Sequence, residues 1–142
     1  FRRGEARSAH ILDVYSAACQ EGGIGVSRGG KFEFARAKRS LDAGCPVLVY
    51  RRFSPERDFL HTAFARRRAT DPSATLPEPD VAERATWPRP DRGLAHATVV
   101  TGYNEARREV IFSESWGEEA RGRRMRIEEM EATTYMAFYF RL

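Results

Sequence analysis

The sequence predicts an α+β fold, in which helices come first and pack on an antiparallel sheet. Apolar residues recur at helical spacing in the first half of the chain, alternating or β-branched runs fill the last third, and a short polar turn joins two of those runs. The chain has 142 residues, which is about the size of one domain. We therefore expect a single domain over residues 1–142.

Three segments of the first half predict helices, because each combines apolar residues at helical spacing with a residue typical of a helix end. They are residues 9–20, which stop at Gly22-Gly23; residues 32–42, which stop at Gly44; and the segment that opens at Ser54-Pro55. Two short apolar runs between these helices predict strands, at residues 24–26 and 46–50.

The second half begins with a segment of different character. Residues 71–93 hold five of the seven prolines and show no periodicity. They predict a Pro-rich insertion loop, which either overhangs a functional site through Trp87 or is a disordered surface insertion. The remaining runs predict strands, with a hairpin first and a short helical segment between the last two. These strands cover residues 96–103, 109–113, 124–127 and 134–140.

The composition excludes several classes of protein. Hydrophobic residues make up 42% and aromatic residues 11% of the chain, which excludes a disordered or fibrous protein. The apolar runs are too short for a membrane-spanning helix. Two cysteines, Cys19 and Cys45, are too few for a disulfide framework. The histidines and cysteines show no metal-ligand spacing, so we expect neither a metal nor another cofactor.

The charge pattern does not favour nucleic acid as the partner. Lys and Arg total 24 against 20 Asp and Glu, a net charge of +4. Only Lys31 and Lys38 are lysines, and the arginines are scattered among carboxylates rather than gathered on one element. A nucleic-acid binder would instead show retention on DNA or RNA that falls steeply with salt.

The predicted hairpin contains the first candidate for chemistry. His96 begins one of its strands, and Glu114 comes just after the end of the returning strand. In an antiparallel pair these two ends lie side by side. Glu114 is then placed to orient His96 and leave its other ring nitrogen as a general base. Taken alone, the same pattern also fits a strand-end histidine beside a solvated glutamate.

The residues around this pair form a longer motif. The run His96-Ala-Thr-Val-Val-Thr-Gly-Tyr-Asn104 is followed by Val110-Ile-Phe-Ser-Glu-Ser-Trp-Gly117. This combination resembles the C-terminal half of papain-like cysteine peptidases. The element Gly44-Cys45-Pro46-Val47 is similar to the strand found before the histidine in the C39-like bacterial branch, and Gly122 with Arg126-Ile127 is similar to a downstream family strand.

The resemblance implies a papain-like fold and a set of site residues. By the motif, His96 matches the catalytic histidine, Glu114 the residue that orients it, and Trp116 the tryptophan that shields their contact from water, with Gly117 after it. Glu114 stands where papain-like peptidases have asparagine, and the C39-like branch uses an aspartate. The implied reaction is hydrolysis of a peptide bond in a peptide or protein substrate, without a cofactor.

The nucleophile is the open question. The family places its cysteine at the N-terminus of a long helix, where the helix dipole favours the thiolate. Of the two cysteines Cys19 is the better candidate, but it matches the family poorly, because it lies near the C-terminal end of its predicted helix. Cys45 is the poorer candidate, because it lies in a helix-to-strand turn. The chain starts at Phe1 without a recognisable leader. We expect the catalytic-cysteine helix in an upstream segment of the same polypeptide.

Whether the domain is an enzyme therefore depends on that cysteine. The alternative from the sequence is a catalytically inactive papain-like module that binds a peptide or protein partner in the remnant of the cleft. Substrate preference, oligomeric state and compartment are not determined by these residues; relatives in the C39-like branch are often exported.

Overall fold

The computed structural model describes Ala17 and residues 19–142. In this part of the chain six strands form one sheet: β1 (Gly25–Gly29), β2 (Val47–Phe53), β3 (Leu94–Asn104), β4 (Glu109–Ser113), β5 (Arg123–Arg126) and β6 (Thr134–Arg141). Four α-helices accompany them: α1 (Phe34–Asp42), α2 (Pro55–Thr70), α3 (Val81–Ala85) and α4 (Ile127–Thr133). A 3₁₀ turn covers Glu118–Ala120.

The sheet is antiparallel throughout, with the strand order β1-β6-β2-β3-β4-β5. The predicted α+β class is confirmed. The order of elements is less segregated than the sequence predicts, because β2 lies in the middle of the sheet, between β6 and β3. The predicted helix over residues 9–20 lies largely outside the described residues, of which Cys19 to Glu21 are helical.

The hydrophobic core lies on one face of the sheet. Every second residue of each strand points to this face. These side chains pack against side chains of α4 and of the segment just before α1. The fully buried members include Phe32, Val47, Val49, Val100 and Met130. Packing one face of a sheet under helices is the arrangement that a period-two strand pattern favours.

The same face of β2 and β3 becomes polar toward one end. Val47 of β2 lies opposite Val100 of β3, but four residues further along β2 Arg51 lies opposite His96. Between these two levels Thr98 of β3 lies opposite Val49 and is also buried. The core face therefore ends in a buried polar cluster at one edge of the hydrophobic core.

The Pro-rich segment is ordered in a way the sequence did not predict. It contains α3, whose N-cap Asp80 accepts a hydrogen bond from the backbone N–H of Glu83 at 2.8 Å. Arg126 donates to the carbonyl oxygens of Leu76 and Pro77 at 2.9 and 3.0 Å, which attaches the segment to β5. The prediction of an aperiodic loop is wrong over α3, because a single capped turn of helix leaves no periodic pattern.

The predicted start of α2 at Ser54 is confirmed. The Ser54 side-chain oxygen accepts a hydrogen bond from the backbone N–H of Arg57 at 3.2 Å, and Pro55 occupies the first helical position. We expect Ser54→Ala to lower the free energy of unfolding by about 1 kcal/mol, because one N–H of the first turn loses its acceptor. Ser54→Asp keeps the acceptor and serves as the control in a denaturant unfolding experiment. Equal losses in both variants would contradict a capping role.

No helix among the described residues has both the length and the apolar character needed to cross a membrane.

Candidate active site

His96 and Glu114 contact each other at the polar end of the sheet face that carries the hydrophobic core. His96 lies near the start of β3, and Glu114 follows the last residue of β4, which pairs with β3. Nε2 of His96 is 3.0 Å from Oε2 of Glu114. The carboxylate lies out of line with the ring N–H, so this close contact is not a well-aligned hydrogen bond.

The two side chains differ in exposure. The Glu114 side chain is completely buried, whereas 17% of the His96 side chain remains exposed. Within the described part of the chain, Nδ1 of His96 makes no hydrogen bond. One ring nitrogen of His96 thus faces Glu114, and the other makes no hydrogen bond among the described residues.

A buried arginine holds the Glu114 carboxylate from the other side. Nη2 of Arg51 donates a hydrogen bond to Oε1 of Glu114, and the Arg51 side chain is 2% exposed. The Thr98 hydroxyl lies 2.9 Å from both carboxylate oxygens. Nε of Arg51 donates to that same hydroxyl at 2.9 Å. Arg51, Thr98 and Glu114 therefore form a closed, buried network beneath His96.

Arg51 and Thr98 were missed by the sequence analysis. A signal for Arg51 was present, since it follows Val47 and Val49 at the alternating positions of a strand whose apolar character predicts burial. An arginine at the third such position has to find a buried counter-charge. The partner, Glu114, lies 63 residues away along the chain, and spacing alone does not identify it.

Aromatic side chains pack against the His96 ring. The Trp116 indole stacks on the imidazole, with ring centroids 4.2 Å apart and an angle of 29° between the planes. Phe53, at the end of β2, lies 5.1 Å from the Trp116 ring and 6.0 Å from the His96 ring. Trp116 itself is 44% exposed. The structure thus places Trp116 between the histidine and solvent.

Gly117 and Arg123 set the position of that tryptophan. Gly117 lies at the point where the chain turns after Trp116. Its φ of +110° is a backbone conformation that residues other than glycine rarely adopt. The Arg123 guanidinium lies 5.9 Å from the centre of the Trp116 ring, and it is itself bound to Asp58 of α2 at 2.6 Å. The strand-to-turn passage therefore fixes Trp116 over His96.

Neither cysteine is near this cluster. Cys45 lies just before β2. Arg51, the residue of β2 opposite His96, is six residues further along, so Cys45 and Arg51 are roughly 20 Å apart along an extended strand. Cys19 lies before β1, and β6 and β2 stand between β1 and β3, a separation of about 14 Å across the sheet. Both thiols are buried.

The backbone around Cys19 makes the hydrogen bonds of a helix C-terminus. Its carbonyl oxygen accepts from the N–H of Ile24 at 2.7 Å, and the N–H of Gly23 bonds the carbonyl of Gln20 at 3.1 Å. With Gly23 at φ of +70°, these bonds form a helix C-terminal cap. The C-terminal end of that helix therefore lies at Cys19, not the N-terminal end at which the family places its cysteine.

A second buried ionic cluster lies under α2 and α4. Both oxygens of Glu129 accept hydrogen bonds from Arg57, at 2.9 and 2.6 Å, and Nε2 of His61 is 3.1 Å from Oε1. Burial raises the pKa of Glu129, but the hydrogen bonds and charges of His61 and Arg57 outweigh this and lower the pKa to about 2. A cleft of about 660 Å³ opens beside the cluster. No local sequence pattern indicates this cluster, because Glu129 lies 72 residues from Arg57 and 68 from His61.

The described residues offer no site for a metal ion: no three or more histidine, cysteine, aspartate or glutamate side chains converge among them.

Comparison with known proteins gives one finding. A family model described as "Peptidase_C39 like family" matches residues 6–141, which is all of the chain except its first five residues and its last. No curated protein and no solved structure matches the chain significantly.

Proposed function

Because this chain belongs to the Peptidase_C39-like family of cysteine peptidase-like domains, we propose that it provides the general base for hydrolysis of peptide bonds in a peptide or protein substrate. His96 is the base, Glu114 orients it, and Trp116 shields their contact from water. One observation carries the proposal: Nε2 of His96 faces buried Glu114 at 3.0 Å, while Nδ1 has no partner among the described residues.

The chemistry follows from that arrangement. A thiol close to Nδ1 transfers its proton to the ring, and the resulting thiolate attacks the carbonyl carbon of the scissile peptide bond. The ring then returns the proton to the leaving amine as the tetrahedral intermediate collapses to a thioester. In the second half-reaction His96 takes a proton from water, and the hydroxide adds to the thioester and releases the acid and the thiol.

The thiol has to come from another segment. Neither Cys19 nor Cys45 lies with His96, and these are the two cysteines of the sequence. We therefore place the nucleophile on an upstream segment of the same polypeptide. Its natural approach is to the partly exposed side of His96, next to Trp116 and Phe53.

A second candidate function is a peptide-binding module without catalysis. It is favoured by the hydrogen bonds of Glu114, which Arg51 and Thr98 supply, while the contact with His96 is poorly aligned. In that case the exposed faces of Trp116 and Phe53 contact a bound peptide.

The two candidates are separated by labelling the polypeptide that includes the upstream segment with an irreversible peptidyl inhibitor directed at thiols. We expect mass spectrometry to find the label on an upstream cysteine, and His96→Ala to lower peptide hydrolysis about 10²- to 10⁴-fold. Thr101→Ala, at an exposed position of the same strand, is the control and keeps activity. Absence of labelling, together with peptide binding but no hydrolysis, would support the binding module instead. Label on Cys19 would show that Cys19, and not an upstream cysteine, is the nucleophile.

A further inference from the structure

We propose that Arg51 is a positioning residue for His96: it supplies the counter-charge of Glu114, so that His96 does not have to, and it orients the carboxylate through Thr98. This inference rests on the proposed function, since it assigns a role within the same site. Arg51 does not contact the reacting atoms; it acts through Glu114.

The first step of the inference concerns charge. The Glu114 side chain is fully buried and Arg51 is 2% exposed, so their attraction is little screened by water. Within the described residues, the groups in contact with Glu114 that can carry a positive charge are Arg51 and His96. With Arg51 present the carboxylate is already neutralised. Without it, His96 is the remaining group that can balance the buried charge, and it does so by taking up a proton.

Uptake of that proton would abolish the ability of His96 to act as a base. An imidazolium carries hydrogen on both ring nitrogens and has no lone pair to accept a proton from a thiol. Arg51 thus allows a carboxylate to do what a neutral amide does in a papain-like site, which is to face the ring without drawing a second proton onto it. The pairing explains how Glu114 can stand in an orienting position while fully buried.

The second step concerns direction. The guanidinium of Arg51 only donates hydrogen bonds, so its Nε–H makes the Thr98 oxygen an acceptor at 2.9 Å. The hydroxyl proton of Thr98 is then left to point at Glu114, 2.9 Å away. This relay limits rotation of the carboxylate and keeps Oε2 on the side of His96.

The other groups around His96 do not duplicate this role. Phe53 and Trp116 are uncharged, and Phe112, over which the Arg51 guanidinium lies at 5.3 Å, closes the network from below. A further cation, Arg123, lies over Trp116 and is paired with Asp58. Among the described residues, the ionisable groups seen in contact with His96 or with its carboxylate partner are therefore Glu114 and Arg51.

The experiment follows the His96 ring by NMR as the pH is changed, using this chain, so no nucleophile is needed. We expect Arg51→Met to move the midpoint of the His96 titration upward by about 1–2 pH units relative to the unchanged chain. Arg51→Lys keeps the charge and loses the planar contacts, so a smaller shift is expected. The control is Arg52→Met, since Arg52 binds the carbonyls of Pro90 and Gly93 instead.

Two further variants keep the test decisive if Arg51→Met does not fold. Thr98→Val breaks the relay and is expected to change the ¹⁵N shifts of the His96 ring, whereas Thr98→Ser retains the hydroxyl and leaves them unchanged. The double variant R51M/E114Q removes both charges and returns the midpoint toward that of the unchanged chain. Folded Arg51 and Thr98 variants with unaltered His96 titration and ring shifts would overturn the inference and leave Arg51 a structural residue.

The inference and the proposed function fail separately. If the Arg51 variants shift the His96 titration but the longer polypeptide does not hydrolyse peptides, the positioning role stands and the enzyme proposal is wrong. If the longer polypeptide is active, and Arg51→Lys changes neither its kcat nor the His96 titration, the enzyme proposal stands and the positioning role is wrong.

Discussion

Glu129→Ala is expected to lower the free energy of unfolding by about 3 kcal/mol, because it removes the buried counter-charge of Arg57 and leaves that arginine with the partly exposed Glu83 at 3.1 Å. Both oxygens of Glu129 bind Arg57, whose side chain is 7% exposed, and one of them also contacts His61. Denaturant unfolding measures the loss. The control is the preceding residue of α4, Glu128, whose ion pair is with the exposed Arg108, and Glu128→Ala is expected to cost about 1 kcal/mol or less.

The same carboxylate makes stability depend on pH in a defined direction. The pKa of Glu129 falls from its ordinary value of 4.5 to about 2 on folding, so the folded protein holds this proton less tightly than the unfolded chain. The stabilisation is complete above pH 4.5 and is lost as the pH falls toward 2. The difference in unfolding free energy between the unchanged chain and Glu129→Gln should therefore be constant near neutral pH and shrink below pH 4.5. A difference that grows with acidity would contradict the assignment.

Phe112→Ala is expected to lower the free energy of unfolding by about 3–5 kcal/mol, because it opens a cavity in the centre of the core. Phe112 is completely buried. Its ring lies 5.5 Å from the His61 ring and 5.3 Å from the Arg51 guanidinium. It therefore packs against a member of each buried ionic cluster, and its removal leaves a cavity next to both.

The chain provides a matched control for this substitution. Phe59, on α2, is 68% exposed, so Phe59→Ala should change stability by about 0.5 kcal/mol or less. Phe112→Leu keeps most of the volume and is expected to cost less than about 1.5 kcal/mol. Chemical denaturation of the three variants compares them directly. Similar losses of unfolding free energy in Phe59→Ala and Phe112→Ala would show that the burial of Phe112 does not stabilise the core.

Much of the fold and the family were predictable from local patterns. The helix start at Ser54, the helix stop at Gly44 and the hairpin from β3 to β4 depend on residues within a few positions of each other. The resemblance to C39-like papain-like peptidases came from the motif around His96 and Glu114, and the family match over residues 6–141 confirms it together with the α+β papain-like fold. The adjacency of His96 and Glu114 followed from the hairpin, since its turn is short.

The helix α3 was not predictable in the same way. It lies among prolines, is one turn long and has Asp80 as its cap. Its place in the fold depends on contacts made far along the chain, such as the Arg126 hydrogen bonds to the carbonyls of Leu76 and Pro77. The high proline content of this segment explains why it lacks a periodic apolar pattern, but it does not make the segment disordered.

By itself, the sequence determined the fold class, the family and the two residues that face each other at the end of the β3–β4 hairpin, because each of these is encoded in short-range spacing. Only the tertiary structure decided which cations neutralise the buried carboxylates. Arg51 reaches Glu114 across 63 residues and Arg57 reaches Glu129 across 72. A charge can stay buried only where folding brings its partner within hydrogen-bond distance, and that proximity depends on strand order and helix packing rather than on any local pattern.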